Sequence, residues 1–596
     1  MNIKPWHVIT CLVLLLLMTV AASQVSGMVY YYLHGANYKD VLPYQFIQQW
    51  WYYKDYDLYK DSIEKSIIAG TIVGYVLPAI LIVAILHKKK SLFGNAKFAS
   101  WRDVVKMGMS KPGGIIIGKL KGKYIYYLGD AFVALFAPTR SGKGVSFVIP
   151  NLLLWRHSIV NTDFKLENFS ITSKFRLLCG QEVYLFSPFT EDMKTHRYNP
   201  LGYVRDGAFS VSDILSIAEI IYPTDIGDAT ARHFAGLSQN LFLGLSLYIK
   251  HTEGLPFTIG EVLRQSDGRG RTLDEHLTDI VETREDLPES CISALNKFLS
   301  EDKTRGQANV LSSFNAPLNN WKNPIFDAAT SANDFDLRDL RKKKMTIYVG
   351  ITPDYIPVSG QILNLFFSHL INLNTKEEPK RNRALKYKCL LLMDEFPAMG
   401  RSGIIARSNS YFASYGLQLA TIVQNKAQIL APVPEGYGKD IGATLIKNHE
   451  IQTVFTPEGD DAEDLSKHLG DTTVKSKSIQ RTTGKGGRTT STNQARRRLM
   501  LPQELQEMPD EDQIIKVRGK RSIYCNKIQY YNDPNFMNRL KSVSPSLRKY
   551  KGKMPNKEQF EDIIAKEELM INDIPEIKIS QNFQHYEIPR VLEGKS

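Results

Sequence analysis

A-P-T-R-S-G-K-G, residues Ala137–Gly144, follows directly on the apolar run A-F-V-A-L-F, Ala131–Phe136. A phosphate-binding loop reads G-x-x-x-x-G-K-[ST] between a strand and a helix. Here Ala137 stands in place of the first Gly, and Gly144 in place of the hydroxyl residue. The binding parts are still present. Thr139, Arg140, Ser141, Gly142, Lys143, Gly144 and Val145 can turn backbone N–H groups towards a phosphate chain at the positive end of the following helix. Gly142 permits close approach, and Lys143 is placed to neutralise β- and γ-phosphates. Ala137 costs backbone freedom but no ligand. Gly144 removes a side chain that ordinarily touches Mg²⁺, and Ser146, two positions further along a helix, points away from the ion. The metal would then rest on phosphates, water and a distant carboxylate.

That carboxylate lies among further buried runs: Ser158–Asp163, Val183–Phe186, Thr346–Val349, Leu390–Met393, Leu419–Val423 and Ile451–Phe455. Continuous apolar strands of this length predict an α/β sheet covered on both faces, as in doubly wound proteins. Between Val204 and Arg341 helical patterns replace the strand signals, as in A-G-L-S-Q-N-L-F-L-G-L-S-L-Y-I. The expected organisation is a nucleotide-binding domain in two parts, 92–203 and 342–532, with an inserted all-α domain over 204–341. The insert accounts for the separation of 251 positions from Lys143 to Asp394. L-L-L-M-D-E, Leu390–Glu395, is an apolar strand ending in two acids, as in a Walker B strand. Asp394 would hold Mg²⁺ and Glu395 would polarise the attacking water; the plain alternative is a surface turn capping the next helix. Gln424, closing L-A-T-I-V-Q, would sense the γ-phosphate or orient water, or simply cap.

The 596 residues exceed one hydrophobic core, and 43% apolar with 23% charged residues is ordinary for globular units. A net charge of +13 fits anionic partners, nucleic acid or acidic membrane. Cys11, Cys179, Cys291, Cys389 and Cys525 are scattered without C-x-x-C, which argues against a zinc site or disulfide framework. Two apolar runs precede residue 90. Ser66–Leu86 holds 21 residues without a charge, enough for a span even with Pro78 inside it. The first run, about 8–28, has the length of a span but also the basic start and small residues of a signal peptide; its irregular apolar extension to Val29 favours a retained span. His87-Lys88-Lys89-Lys90 then marks a cytoplasmic end. This predicts a membrane anchor over 1–91 with a periplasmic loop at 29–65, whose aromatic clusters suit an interfacial belt or a docking surface.

T-D-F-K-L-E (Thr162–Glu167), H-R-Y-N-P-L (His196–Leu201), S-Y-G-L-Q-L-A-T-I-V-Q-N, S-K-H-L-G-D-T-T-V (Ser466–Val474) and L-P-Q-E-L-Q-E-M-P (Leu501–Pro509) complete a set with the two motifs above. In this order, from the spans to about residue 535, the chain resembles the coupling proteins of type IV secretion systems, the TraG/TrwB type of membrane-anchored ATPase. Loops reading T-R-S-G-K-G are usual in that family. The resemblance implies a RecA-like motor domain with an all-α insert, ATP and Mg²⁺ as cofactors, and homo-hexamers on the inner face of a bacterial inner membrane. It implies DNA–relaxase complexes or effector proteins as partners, with secretion-channel components. It assigns Lys143 as the phosphate lysine, Asp394 as the metal carboxylate, Glu395 as the catalytic glutamate and Gln424 as the sensor. Leu166 departs from the family's D-x-K-G-E, suggesting a less flexible turn. Ala413-Ser414 before Tyr415 leave the neighbour-supplied arginine unassigned among Arg140, Arg401 and Arg407.

Residues 475–498 carry eight Lys/Arg and no acid. They read as a flexible solvated loop, or as a contact for nucleic-acid phosphates. The tail, 533–596, reads as an appended partner-binding piece. Two other functions compete with the motor. One is an ATP-binding membrane receptor or scaffold with little turnover, for which Glu395 would be superfluous. The other is an FtsK-like DNA translocase, a class with four N-terminal spans and a small DNA-reading terminal domain.

Overall fold

The computed structural model describes residues 5–80, 92–408, 412–481, 488–550 and 553–579. Each continuous apolar run forms a strand: β3 (Phe132–Phe136), β4 (Ser158–Asp163), β5 (Glu182–Phe186), β6 (Met345–Gly350), β7 (Cys389–Met393), β8 (Leu417–Val423) and β9 (His449–Val454). They lie parallel in the order β9-β3-β8-β7-β4-β6-β5. The sheet is mixed, however, not wholly parallel. Four more strands, β1 (Ile115–Leu120), β2 (Lys123–Tyr127), β12 (Asp512–Val517) and β13 (Ile523–Asn526), extend it antiparallel beyond β9 in the order β12-β13-β1-β2. The β1–β2 turn places Lys121 and Gly122 both at positive φ, the backbone that matches strand twist in a tight hairpin.

Alternation within the strands sorts side chains to two covered faces. Phe132, Ala134 and Phe136 of β3, with Cys389, Leu391 and Met393 of β7, join one apolar layer. Val133 and Leu135 of β3, with Leu390 and Leu392 of β7, join the other, against Phe147, Leu152 and Phe169. Every element between β5 and β6 is helical, including Ser210–Ile221, Ala229–Lys250, Leu273–Thr283 and Glu289–Leu299. The apolar interior of this segment is continuous with the first layer, since Phe242 and Leu295 belong to the same cluster as Phe132 and Phe366.

Two expectations change. Residues 533–579 are not an appendage. Phe536, Leu540, Leu547 and Phe560 pack with Ile149 and Leu153 of the helix after the phosphate loop, and with Ile116 of β1. Asp533, nearly buried, accepts from Tyr124 at 2.6 Å and pairs with Lys119. The basic segment contains β10 (Asp471–Arg481) and β11 (Arg488–Arg498), which form a two-stranded sheet rather than a loop. Their sequence, rich in Lys, Arg, Ser and Thr, has no apolar period to announce them; the run of Thr and other β-favouring residues is the only local signal.

By internal packing the chain forms two units, residues 1–94 with 475–495, and 95–474 with 496–596. In the first, Pro5–Leu33 and Asp57–Thr71 are helical, the latter continuing through a π turn at Ile72–Val76. Val13–Leu33 and Asp57–Ile80 are long and apolar enough to cross a membrane. Residues 81–86 of the expected second span, and the Lys88–Lys90 cluster, lie outside the described residues. The π turn ends two residues before Pro78, which lacks an N–H and crowds the carbonyl four residues back. The two helices meet closely where they carry small residues. A Cβ on Gly74 would stand 2.5 Å from that of Ala22, and one on Gly70 2.5 Å from the Ala22 carbonyl oxygen. Small-x-x-x-small spacing is how helices approach closely in a bilayer. The expected loop also contains the helix Pro43–Tyr53, whose Phe46 packs with Tyr30 and Ile63.

Candidate active site

β3, β8 and β7 are neighbours, with Phe136 opposite Val423 and Met393 opposite Thr421. Parallel strands present their carboxyl ends on one edge, the usual place for a ligand in such sheets. Each of these three strands ends in a residue singled out by sequence: β3 runs into the phosphate loop, β7 into Asp394-Glu395, and β8 into Gln424. Lys143 ion-pairs with Glu395, and its Nζ is 4.0 Å from Asp394 Oδ1. Gln424 Nε2 donates to Glu395 Oε2 at 3.4 Å. Four residues drawn from three strand ends thus form one polar cluster.

The loop itself turns at exposed Thr139 and Arg140 and half-buried Ser141–Val145. Arg140 and Gly142 have φ of 61° and 82°, and alternation of left-handed residues with right-handed ones makes a concave row of N–H groups. Ser141 Oγ donates to the Pro138 carbonyl at 2.6 Å. Gly144–Val148 is a π turn that leads into the helix Ile149–Leu154. Val145 packs towards the C-terminal helices. A Cβ on Gly144 would meet nothing within 4 Å, so the absent hydroxyl is not a matter of space. Gly144→Ser should therefore fold normally, with helix propensity gaining a few tenths of a kcal/mol and Tm moving by less than about 2 °C. A fall above about 5 °C in a thermal melt would contradict this.

Asp394 is half-buried, its side chain 17% exposed. Its carbonyl accepts from Thr162 Oγ1 at 2.7 Å, and its Oδ1 accepts from the Glu395 N–H at 3.1 Å. Burial pushes its carboxyl up to about 6, against the attraction of Lys143 and with the repulsion of Glu395. The folded state therefore holds this proton more tightly than the unfolded chain, whose Asp titrates near about 3.9. Asp394 contributes stability at low pH that is lost as pH rises through about 6. Asp394→Asn should accordingly raise Tm more at pH 8 than at pH 5. An equal change at the two pH values would contradict the assignment. Glu395 has φ 50° and ψ 52°, a left-handed conformation that costs a non-Gly residue on the order of 1–3 kcal/mol and collects at functional sites.

Sequence reading passed over Asp163, although it ends β4 next to β7. Its Oδ2 accepts from the Phe169 N–H at 2.8 Å, and burial pushes it up to about 7, aided by Asp394. The signal was there: T-D closing a buried strand, as M-D closes β7. Leu166 has φ 55° just ahead of the helix Glu167–Leu178, so the place where the family pattern has Gly is indeed left-handed. Arg401 holds Asp225 through both terminal nitrogens, at 3.1 and 2.9 Å, with its side chain 9% exposed. It is thus engaged within its own chain. Arg140 is exposed, and the Arg407 side chain lies outside the described residues. Among the described residues no three His, Cys, Asp or Glu side chains cluster as a metal cage. Beside the loop, a cavity of about 440 Å³ is lined by Thr139, Gln424, Phe455 and Asp461 among others.

The family model described as "Type IV secretory system Conjugative DNA transfer" matches residues 87–553. Conjugal transfer protein TraG of Escherichia coli is 25% identical over 586 residues, covering 87% of this chain and 91% of TraG. Protein VirD4 of Rhizobium radiobacter is 27% identical over 482 residues, 77% of this chain and 66% of VirD4. Among solved structures, the bacterial conjugative coupling protein TrwBdeltaN70 aligns with a TM-score of 0.55 at 15% identity, over 76% of this chain and 99% of that one. Plasmid coupling protein TrwB in complex with ADP and Mg²⁺ aligns with a TM-score of 0.53, over 73% and 96%. At that identity the likeness is one of fold: a RecA-like α/β core as in TrwB. Sequence match and fold agree, and the chain belongs to the type IV secretory system conjugative DNA transfer family, the TraG/VirD4 coupling proteins.

Proposed function

We propose that this protein is a membrane-anchored ATPase that couples ATP hydrolysis to delivery of a DNA–relaxase complex or effector protein to a type IV secretion channel, working as a homo-hexamer at the bacterial inner membrane with its main body in the cytoplasm. The observation that carries the enzymatic part is the meeting of Lys143, Asp394, Glu395 and Gln424 at three adjacent strand ends. TrwB, of the same fold, has been captured with ADP and Mg²⁺. A mere receptor would have no use for Glu395.

The donor set fits a magnesium nucleotide. The loop amides and Lys143 suit the phosphates. Asp394 is an oxygen ligand whose cationic neighbour, Lys143, also pairs with Glu395, and Mg²⁺ commonly keeps several waters beside one or two carboxylates and substrate phosphates. The lack of a protein cage is therefore no obstacle. When bound, Mg²⁺ would offset the charge of the phosphate oxygens. Glu395 would orient the attacking water and accept its proton, held in place by Gln424. Lys143 must exchange Glu395 for phosphate oxygens, which frees the Glu395 carboxylate as the site fills.

The close helix pairing at Ala22 with Gly70 and Gly74 favours an anchor of two retained spans. The test of the transport role is transfer by donor cells in which Lys143→Ala or Glu395→Gln replaces the natural copy. Transfer should fall by at least about 100-fold, with membrane insertion intact. Undiminished transfer would sink the motor reading.

A further inference from the structure

Lys527 follows β13, the strand through which the antiparallel extension joins β1 to β12. It lies 386 positions from Ser141, yet its Nζ donates to the Ser141 carbonyl oxygen at 3.1 Å. The same ammonium stands 4.2 Å from the centre of the Phe455 ring. The residue is 6% exposed, and burial lowers its pKa while Asp510 and Asp512 pull the other way. Its own N–H donates to the Glu511 carbonyl, and the Phe455 N–H to the Phe136 carbonyl at 2.9 Å, so ammonium, ring and loop share one frame.

Burying an ammonium is costly, and one carbonyl with one aromatic face is a modest return for stability alone. The carbonyl it holds is informative. The C=O of Ser141 and the N–H of Gly142 belong to one planar trans peptide and point in opposite directions. A donor that fixes this oxygen fixes the direction of the Gly142 N–H. Gly142, at φ 82° and without a side chain, is the loop residue that permits close backbone approach to a phosphate.

We propose that Lys527 is a positioning residue for phosphate binding: by holding the Ser141 carbonyl from the antiparallel extension, it aims the Gly142 N–H at the nucleotide's phosphate chain. This rests on the reading of Ala137–Gly144 as a nucleotide loop. It gives the four added strands a part in the site, since they deliver this side chain to the loop.

The test uses the full chain in lipid nanodiscs, with Mg·ATP as the probe in equilibrium binding, steady-state turnover and thermal melts. Lys527→Met keeps the buried volume without the donor. Dissociation constant and KM should rise about 10-fold, kcat should change less than about 3-fold, and Tm should hold or rise. Lys527→Arg, which can still donate, should recover most of the affinity. A purely structural lysine would instead lower Tm and leave the affinity of the folded protein unchanged. Mg·ATP binding by Lys527→Met within 2-fold of wild type would overturn the proposal, as would a loss not recovered by Lys527→Arg. Failure of the wild type itself to bind Mg·ATP would overturn the nucleotide reading and this proposal with it.

Discussion

Lys143→Ala is expected to reduce ATP turnover by about 10³-fold or more, the scale seen when a charged stabiliser of a transferring phosphoryl group is removed. Two effects combine. The ammonium that would neutralise the phosphates is lost, and Asp394 and Glu395 lose the cation that now lies near both. With that cation gone, Asp394 should hold its proton to a pH above its present value of about 6. The variant should therefore melt at a lower temperature than wild type at pH 8, with a smaller difference at pH 5. The three side chains are 17–26% exposed, so solvent screening limits the loss to about 1–2 kcal/mol. Turnover within 10-fold of wild type, measured by phosphate release, would remove Lys143 from the site.

Glu395→Gln separates binding from chemistry. Glutamine keeps the volume and can still accept from Gln424, but it cannot take a proton. A fall in kcat of about 10²–10⁴-fold is expected, the range for losing a general base. Nucleotide affinity should hold or tighten, because Lys143 no longer has to leave a carboxylate to meet phosphate oxygens. The decisive pattern is the split: weak turnover with full binding. Loss of both together would mean that Glu395 supports the loop rather than the reaction.

Much of this site was legible because its signals are local. Each of β3, β7 and β8 is a fully buried run; Asp394 and Gln424 follow β7 and β8 directly and Lys143 lies on the loop after β3, so the strand ends point to the residues that the structure brings together. The antiparallel strands were not found. K-Y-I-Y-Y and I-Y-C-N are short and only partly buried, and a four-residue run cannot be told from a turn by periodicity. Missing them meant missing Lys527, whose meaning depends on a contact across 386 positions. A solitary lysine carries no pattern. The C-terminal helices were misread for a related reason. Their apolar residues are spaced for a third layer over Ile149 and Leu153, and nothing in the tail itself says which surface it covers. The ribbon of β10 and β11 escaped because its sequence carries no apolar alternation for hydrophobic periodicity to detect.

The central claim is that Lys143, Asp394 and Glu395 form a working ATPase site in a protein that delivers a DNA–relaxase complex or effector protein. The most direct measurement is Mg·ATP turnover by the full chain in nanodiscs, with and without single- and double-stranded DNA, beside the Glu395→Gln variant. The account predicts turnover that disappears in the variant and that rises with DNA if the cargo is a DNA–relaxase complex. Absence of turnover with either DNA, or equal turnover in wild type and Glu395→Gln, would contradict it.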